Sequence, residues 1–147
     1  TLHLPIDTKL AAINTNDLQE DYKEENLKGL KVLLVEDNMI NTKIAQKIMG
    51  QWDVIVDTAE NGLVGVEKFN SNSYDVILMD LSMPVMDGYD ATIRIRENDK
   101  LIPIIALTAS ASFGYLDRAL QIGINEYIIK PFNPKELNMK LRKYYFP

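Results

Sequence analysis

Three acids, one hydroxyl and one ammonium stand out in this 147-residue chain because each closes a short apolar run. Glu36 and Asp37 follow VLLV, Asp80 follows VILM, Thr108 follows IIAL and Lys130 follows YII. Adjacent carboxylates at a buried strand end repel one another and lose hydration, so they need a compensating cation. Asp37 and Asp80 suit a hard divalent ion, since Mg²⁺ keeps several waters and takes one or two carboxylates. Glu36 then holds a metal-bound water or adds charge. If the site handles phosphate, an Asp80 oxygen serves as nucleophile, Lys130 meets phosphoryl oxygens as a point charge, and Thr108 donates a hydrogen bond to one of them. Singly, each has a plainer role: Glu36-Asp37 as a solvated pair or helix cap, Asp80 as a turn residue before LSMPVMDG, Thr108 as the start of a helix. Four strand ends carrying complementary groups are hard to assign to capping alone.

Composition removes several other chemistries. Cysteine is absent and His3 is the single histidine, which rules out disulfides, thiol nucleophiles, a His-based triad and a two-histidine metal site. The net charge of −5, with no run of Lys or Arg, fits direct nucleic-acid contact poorly. Apolar runs such as Ile102 to Leu107 fall far below the roughly 20 residues that span a bilayer. No secretory signal pattern opens the chain. No membrane contact by this segment is expected.

The elements that must position these groups follow from periodicity. Val32–Val35, Val54–Ala59, Val76–Met79, Ile102–Leu107 and Tyr127–Ile129 read as fully buried strands. Helical stripes lie between them: Ile40, Ile44 and Ile48; Leu63, Val66 and Phe69; Ala91 and Ile95 with Ile93; Leu116, Ala119 and Leu120; and Leu137 with Leu141. Asn61-Gly62, the run Asn70–Ser73, Gly123 and Asn133-Pro134 supply the punctuation. Five βα units imply a parallel sheet covered on both faces, with function gathered at the carboxyl ends of its strands. Residues 1–29 differ, since Asn14–Asn26 is polar and acidic and reads as a linker. A capping pair, Asp17 with Glu20, leaves a short helix as the alternative there.

From Lys31 to Tyr145 the chain resembles the receiver domain of two-component response regulators. VLLVEDN, DVILMDLSMPVMDG, IIALTA and YIIKPF occur in that family's order. The resemblance implies an α/β, flavodoxin-like, doubly wound sheet of order 2-1-3-4-5 with five helices over residues 30–147. It implies Asp80 as phosphoacceptor from a phosphohistidine, with Glu36, Asp37, Asp80 and the Ser82 backbone carbonyl holding Mg²⁺ or Mn²⁺. Thr108, Ala109, Lys130 and Tyr127 become the phosphoryl-binding and switch positions, and Lys130-Pro131 a cis bond. The surface of the fourth helix, fifth strand and fifth helix is the implied output. Glu36 departs from the family's commoner Asp, from which altered metal affinity is expected.

Thr1–Ile6, TLHLPI, is similar to the last strand of a histidine-kinase ATP-binding domain. That makes the chain the carboxyl-terminal receiver of a hybrid sensor kinase, cytoplasmic, with a parent anchored in the inner membrane. The partners implied are a histidine kinase core, in the same chain on the hybrid reading, and a histidine phosphotransfer domain or downstream regulator. Its only catalysis would be its own aspartyl phosphorylation and dephosphorylation. Two alternatives remain: a phosphorylation-independent interaction module on the same fold, and an aspartyl-phosphate phosphohydrolase, for which Ser82 stands where a second Asp is wanted.

Overall fold

The computed structural model describes residues 23–109 and 113–147. The expectations placed on Thr1–Ile6, His3, Asp17 and Glu20 lie outside the described residues, as does the side chain of Leu116.

Five parallel strands, β1 (Lys31–Val35), β2 (Ile55–Ala59), β3 (Val76–Asp80), β4 (Ile104–Thr108) and β5 (Glu126–Ile129), lie side by side in the order β2-β1-β3-β4-β5. Five helices alternate with them: α1 (Met39–Gly50), α2 (Gly62–Ser71), α3 (Gly88–Asn98), α4 (Phe113–Gln121) and α5 (Pro134–Arg142). Sequence punctuation sets their ends. Asn38, Asn61, Asp87 and Asn133 each turn a side-chain oxygen onto an amide of the first turn, and Pro134 follows Asn133 where its missing N–H costs nothing. Gly123, at φ 104°, takes the left-handed conformation that ends the α4 turn.

Alternation along the strands divides the interior in two. Val32, Leu34, Val76, Leu78, Ile105, Leu107 and Ile128 face α1 and α5 through Ala45, Met49, Leu137 and Leu141. Leu33, Val35, Ile77, Met79, Ile104 and Ala106 face the other way, onto Ala91 and Ile95 of α3 and Ala119 of α4, with Val66 and Phe69 of α2 packed alongside. Each fully buried aliphatic side chain contributes about 1.5–3 kcal/mol, so the three central strands carry most of the stability.

Several patterns resolve differently from their sequence appearance. Three strands prove fully or almost fully buried, whereas β2 and β5 are only partly so, because each is an edge with one lateral neighbour. The Ile40–Ile44–Ile48 stripe does not form the buried face of α1: Ala45 and Met49 do, leaving Ile40 70% exposed and Ile44 outside as well, with Ile48 at the margin. The helix is thus turned so that Ala45 and Met49, not the isoleucines, meet the core. Leu63, Ile93 and Leu120 are likewise exposed. Residues 23–29, expected as linker, lie against the domain, with Leu27 wholly buried in the α1/α5 core.

Glu126, at the start of β5, ties that edge to α5. It accepts hydrogen bonds from the Lys143 ammonium at 2.8 Å and the Tyr144 hydroxyl at 2.5 Å. Burial alone would raise its pKa, but these donors and Lys140 outweigh burial and hold it below the usual glutamate value. A carboxylate so depressed stabilises the fold above its ordinary pKa, and the contribution is lost as pH falls through the folded-state value. Glu126→Gln should therefore lower the melting temperature by about 3 °C at pH 7, with the gap closing below about pH 4; calorimetry across that range checks it.

Candidate functional site

Parallel pairing brings the strand ends to one rim. Val35 is in register with Met79, Asp80 with Leu107, and Thr108 with Ile129. Glu36-Asp37, Asp80, Thr108 and Lys130 therefore converge from β1, β3, β4 and β5. Asp37, Asp80, Ser82, Thr108, Ala109 and Lys130 line one cleft of about 620 Å³, together with Asp87, Tyr89 and Arg118.

Lys130 is the hub of the rim. Its ammonium lies 3.0 Å from one Glu36 oxygen, 3.2 Å from the other, and 3.1 Å from Asp80 Oδ2. The second Asp80 oxygen, Oδ1, accepts from the Ser82 backbone N–H at 3.1 Å. Asp80 is only 4% exposed, and Glu36 is equally enclosed. Burial first, and then the neighbouring Glu36 carboxyl, push the Asp80 carboxyl up to about 6, against the opposing pull of the Ser82 amide and Lys130. Burial also works against the charge on Lys130, yet Glu36 and Asp80 prevail and hold its pKa above that of an ordinary lysine.

Carboxylate oxygens from Glu36, Asp37 and Asp80 lie within 4.8 Å of one another. Three carboxylates facing one ammonium leave a surplus of two negative charges, which a divalent cation offsets. An all-oxygen donor set favours a hard ion of the Mg²⁺ kind over a soft one. The residues present thus fit such an ion.

Thr108 and Asp80 are each the last residue of a strand, so both side chains start from backbone fixed by ladder bonds. The Lys130–Pro131 bond is cis. Ala109 is exposed at the cleft, and Tyr127 on β5 lies outside it, 40% exposed. Two contributors were not singled out from sequence. Gly88 opens α3 so close under β3 that a Cβ there would overlap the Asp80 carbonyl oxygen, and the adjacent Met86-Asp87-Gly88 was the available signal. Arg118 of α4 stacks 4.1 Å over the Tyr89 ring at the cleft wall. Three residues before Gly88, the β3–α3 loop puts Val85 at φ 69° with 79% exposure, a costly conformation for a β-branched residue.

A doubly wound parallel sheet of order 2-1-3-4-5, with an acidic rim built around one lysine, defines an α/β domain of the flavodoxin-like class. The chain belongs to the response regulator receiver family: the receiver-domain model matches residues 32–142. Hybrid signal transduction histidine kinase G of Dictyostelium discoideum is 40% identical over 129 residues, covering 84% of this chain and 4% of that protein. The autoinducer 2 sensor kinase/phosphatase LuxQ of Vibrio vulnificus is 36% identical over 144 residues, covering 96% of this chain and 17% of that protein. The chain thus spans only a small part of the length of these two relatives. The receiver domain of a Pseudomonas aeruginosa sensor histidine kinase, with magnesium coordinated in its active-site cleft, superposes with TM-score 0.75 at 39% identity, over 80% of this chain and 98% of that one. The Saccharomyces cerevisiae Ssk1 receiver, solved in complex with the histidine phosphotransfer protein Ypd1, gives TM-score 0.77 at 31% identity, over 82% and 92%. Among the described residues no helix is long and apolar enough to cross a membrane.

An acid whose pKa is raised on folding destabilises the fold once ionised, fully above the folded-state value and not at all below the unfolded one. In EDTA at pH 8, Asp80→Asn should therefore be more stable than wild type by an amount of order 1 kcal/mol, and melt higher. The gap should shrink toward pH 4. Thermal melts at both pH values check this, and added Mg²⁺ should raise the wild type more than the variant.

Proposed function

We propose that this receiver accepts a phosphoryl group on Asp80 from a phosphohistidine and that the phosphorylated form presents an altered α4–β5–α5 face. The observation that carries this reading is the pairing of Asp80 with Lys130 at 3.1 Å on a nearly enclosed strand end beside two further carboxylates. In the transfer, an Asp80 carboxylate oxygen forms a bond to phosphorus while the phosphorus–nitrogen bond breaks. The electron pair stays with the departing imidazole. Ser82 N–H fixes the carboxylate orientation, which brings an oxygen to the donor without a search over rotamers.

Lys130 is placed to leave its present carboxylate partners for the arriving phosphoryl oxygens. Glu36, Asp37, Asp80 and the Ser82 carbonyl would hold Mg²⁺, which supplies neutralisation of phosphoryl charge among the acids. Support for that ion comes from the oxygen donor set here and from the magnesium-bound Pseudomonas relative. Thr108 then donates to a phosphoryl oxygen, Ala109 borders the same cleft, and Tyr127 moves from its half-exposed position into the space Thr108 vacates. A bias of a few kcal/mol is enough for such a two-state change.

The upstream donor is a histidine kinase core, and the downstream exchange partner is a histidine phosphotransfer domain or regulator. The kinase relatives and the Ypd1-bound neighbour support both. The LuxQ match runs over 144 residues, too many to lie within residues 30–147 alone, which favours origin as the receiver of a hybrid kinase.

Incubation with acetyl phosphate should add one phosphoryl mass in Mg²⁺, much less in EDTA, and none in Asp80→Asn. Thr108→Ala should still be phosphorylated while losing the change at Tyr127, read by its ring resonances. A folded wild type that stays unmodified in Mg²⁺ would instead point to an interaction-only module.

A further inference from the structure

The chain entering the domain is gripped in a manner that its polar composition conceals. Asn138, wholly buried on α5, exchanges two hydrogen bonds with the backbone of Glu25: the Glu25 N–H donates to Asn138 Oδ1 at 3.0 Å, and Asn138 Nδ2 donates to the Glu25 carbonyl at 2.9 Å. A side-chain amide thus reads main chain as a neighbouring strand would. One turn on, Arg142 meets the Glu25 carboxylate at 3.0 Å. From the opposite side Trp52 Nε1 donates to Glu24 at 3.0 Å, and the Trp52 carbonyl accepts from Leu27 N–H at 2.8 Å. Asn26 Nδ2 donates to Asp53 at 2.6 Å, and the Tyr145 hydroxyl donates to the Lys28 carbonyl at 3.0 Å. Leu27 is buried between them.

The floor of this groove is the same helix that begins just after Lys130. Only Pro131, Phe132 and the Asn133 cap separate the rim lysine from α5, and Phe132 packs on the core below. A helix of 9 residues is short enough to move as a rod. Asn138 at the middle of α5 and Arg142 at its last residue hold Glu25, so a displacement of α5 accompanying a shift of Lys130 would reach that grip. The paired amide bonds tolerate little displacement, because each requires both distance and direction.

We propose that α5 and the Trp52–Asp53 turn form a binding groove whose occupant is this chain's own segment 24–28, and that phosphorylation at Asp80 loosens it. The groove makes the receiver's state readable in the chain that precedes it, without a separate docking partner. The coupling rests on the acceptor role proposed for Asp80, whereas the groove itself stands on the contacts above.

Amide hydrogen exchange of Glu25 and Leu27, followed by NMR on the full chain before and after acetyl phosphate with Mg²⁺, tests it. Trp52, the single tryptophan, gives a parallel fluorescence signal. Exchange at both amides should be slow in the unmodified protein and rise about tenfold with the adduct. Arg142→Gln, outside the phosphorylation site, should raise basal exchange about threefold while the domain stays folded; Asn138→Ala should raise it further and lower the melting temperature. Adduct formation with unchanged exchange would overturn the coupling and leave the acceptor role standing. Failure of the wild type to form an adduct would overturn both. Fast exchange at Glu25 and Leu27 in the unmodified, folded protein would overturn the groove.

Discussion

One ammonium among three carboxylates is the constraint on which this domain turns. Lys130 lies within hydrogen-bonding distance of both Glu36 and Asp80, and neither acid has much water to fall back on. Burying an ion pair gains little when its desolvation is counted, and with two acids sharing one lysine the charge on Asp80 is borne at a cost. The rim is therefore a place where the fold tolerates unfavourable charge, and the tolerance depends on backbone that cannot yield. Ladder bonds on both sides of β1, β3 and β4 supply that rigidity. Gly88 adds to it by letting α3 start directly beneath Asp80.

The rest of the architecture serves the same end. Burial of the central strands on both faces leaves their carboxyl ends no freedom to splay, so acids on separate strands are held together despite repulsion. The less buried edge strands carry the adjustable parts. At β5 the Glu126 cluster anchors the amino end, Tyr127 follows it on the strand, and Lys130 stands just beyond the carboxyl end at the rim. A strand pinned at one end and charged at the other is suited to transmitting a local change in charge.

How much of this was legible beforehand depended on whether a residue's environment was written in its own neighbourhood. Apolar runs ending in acid, hydroxyl or lysine gave the strand ends, because a charged group closing a buried run has few places to go. Asn133-Pro134 and Gly123 marked their helix ends for equally local reasons. The orientation of α1 was not local. Ile40 and Ile44 look like a core stripe, yet tertiary packing puts Ala45 and Met49 inward and leaves both isoleucines exposed. The grip on Glu25 was hidden for a similar reason, since its partner Asn138 lies 113 positions away and a lone asparagine carries no pairing signal. Gly88 was visible as a glycine but not as a gap under Asp80.

The two separately packed cores have a consequence for what a partner can read. Helix α4 rests on one core and α5 on the other, with the narrow edge β5 between them. The exposed face they share is consequently a seam between two halves of the molecule, in the way a book's fore-edge shows both covers. A binding protein that spanned the seam would touch both sides of the sheet at once, and so would respond to how the two helices lie relative to one another. Small tilts too slight to expose new chemistry would still change the fit, and a surface of ordinary composition would carry the message.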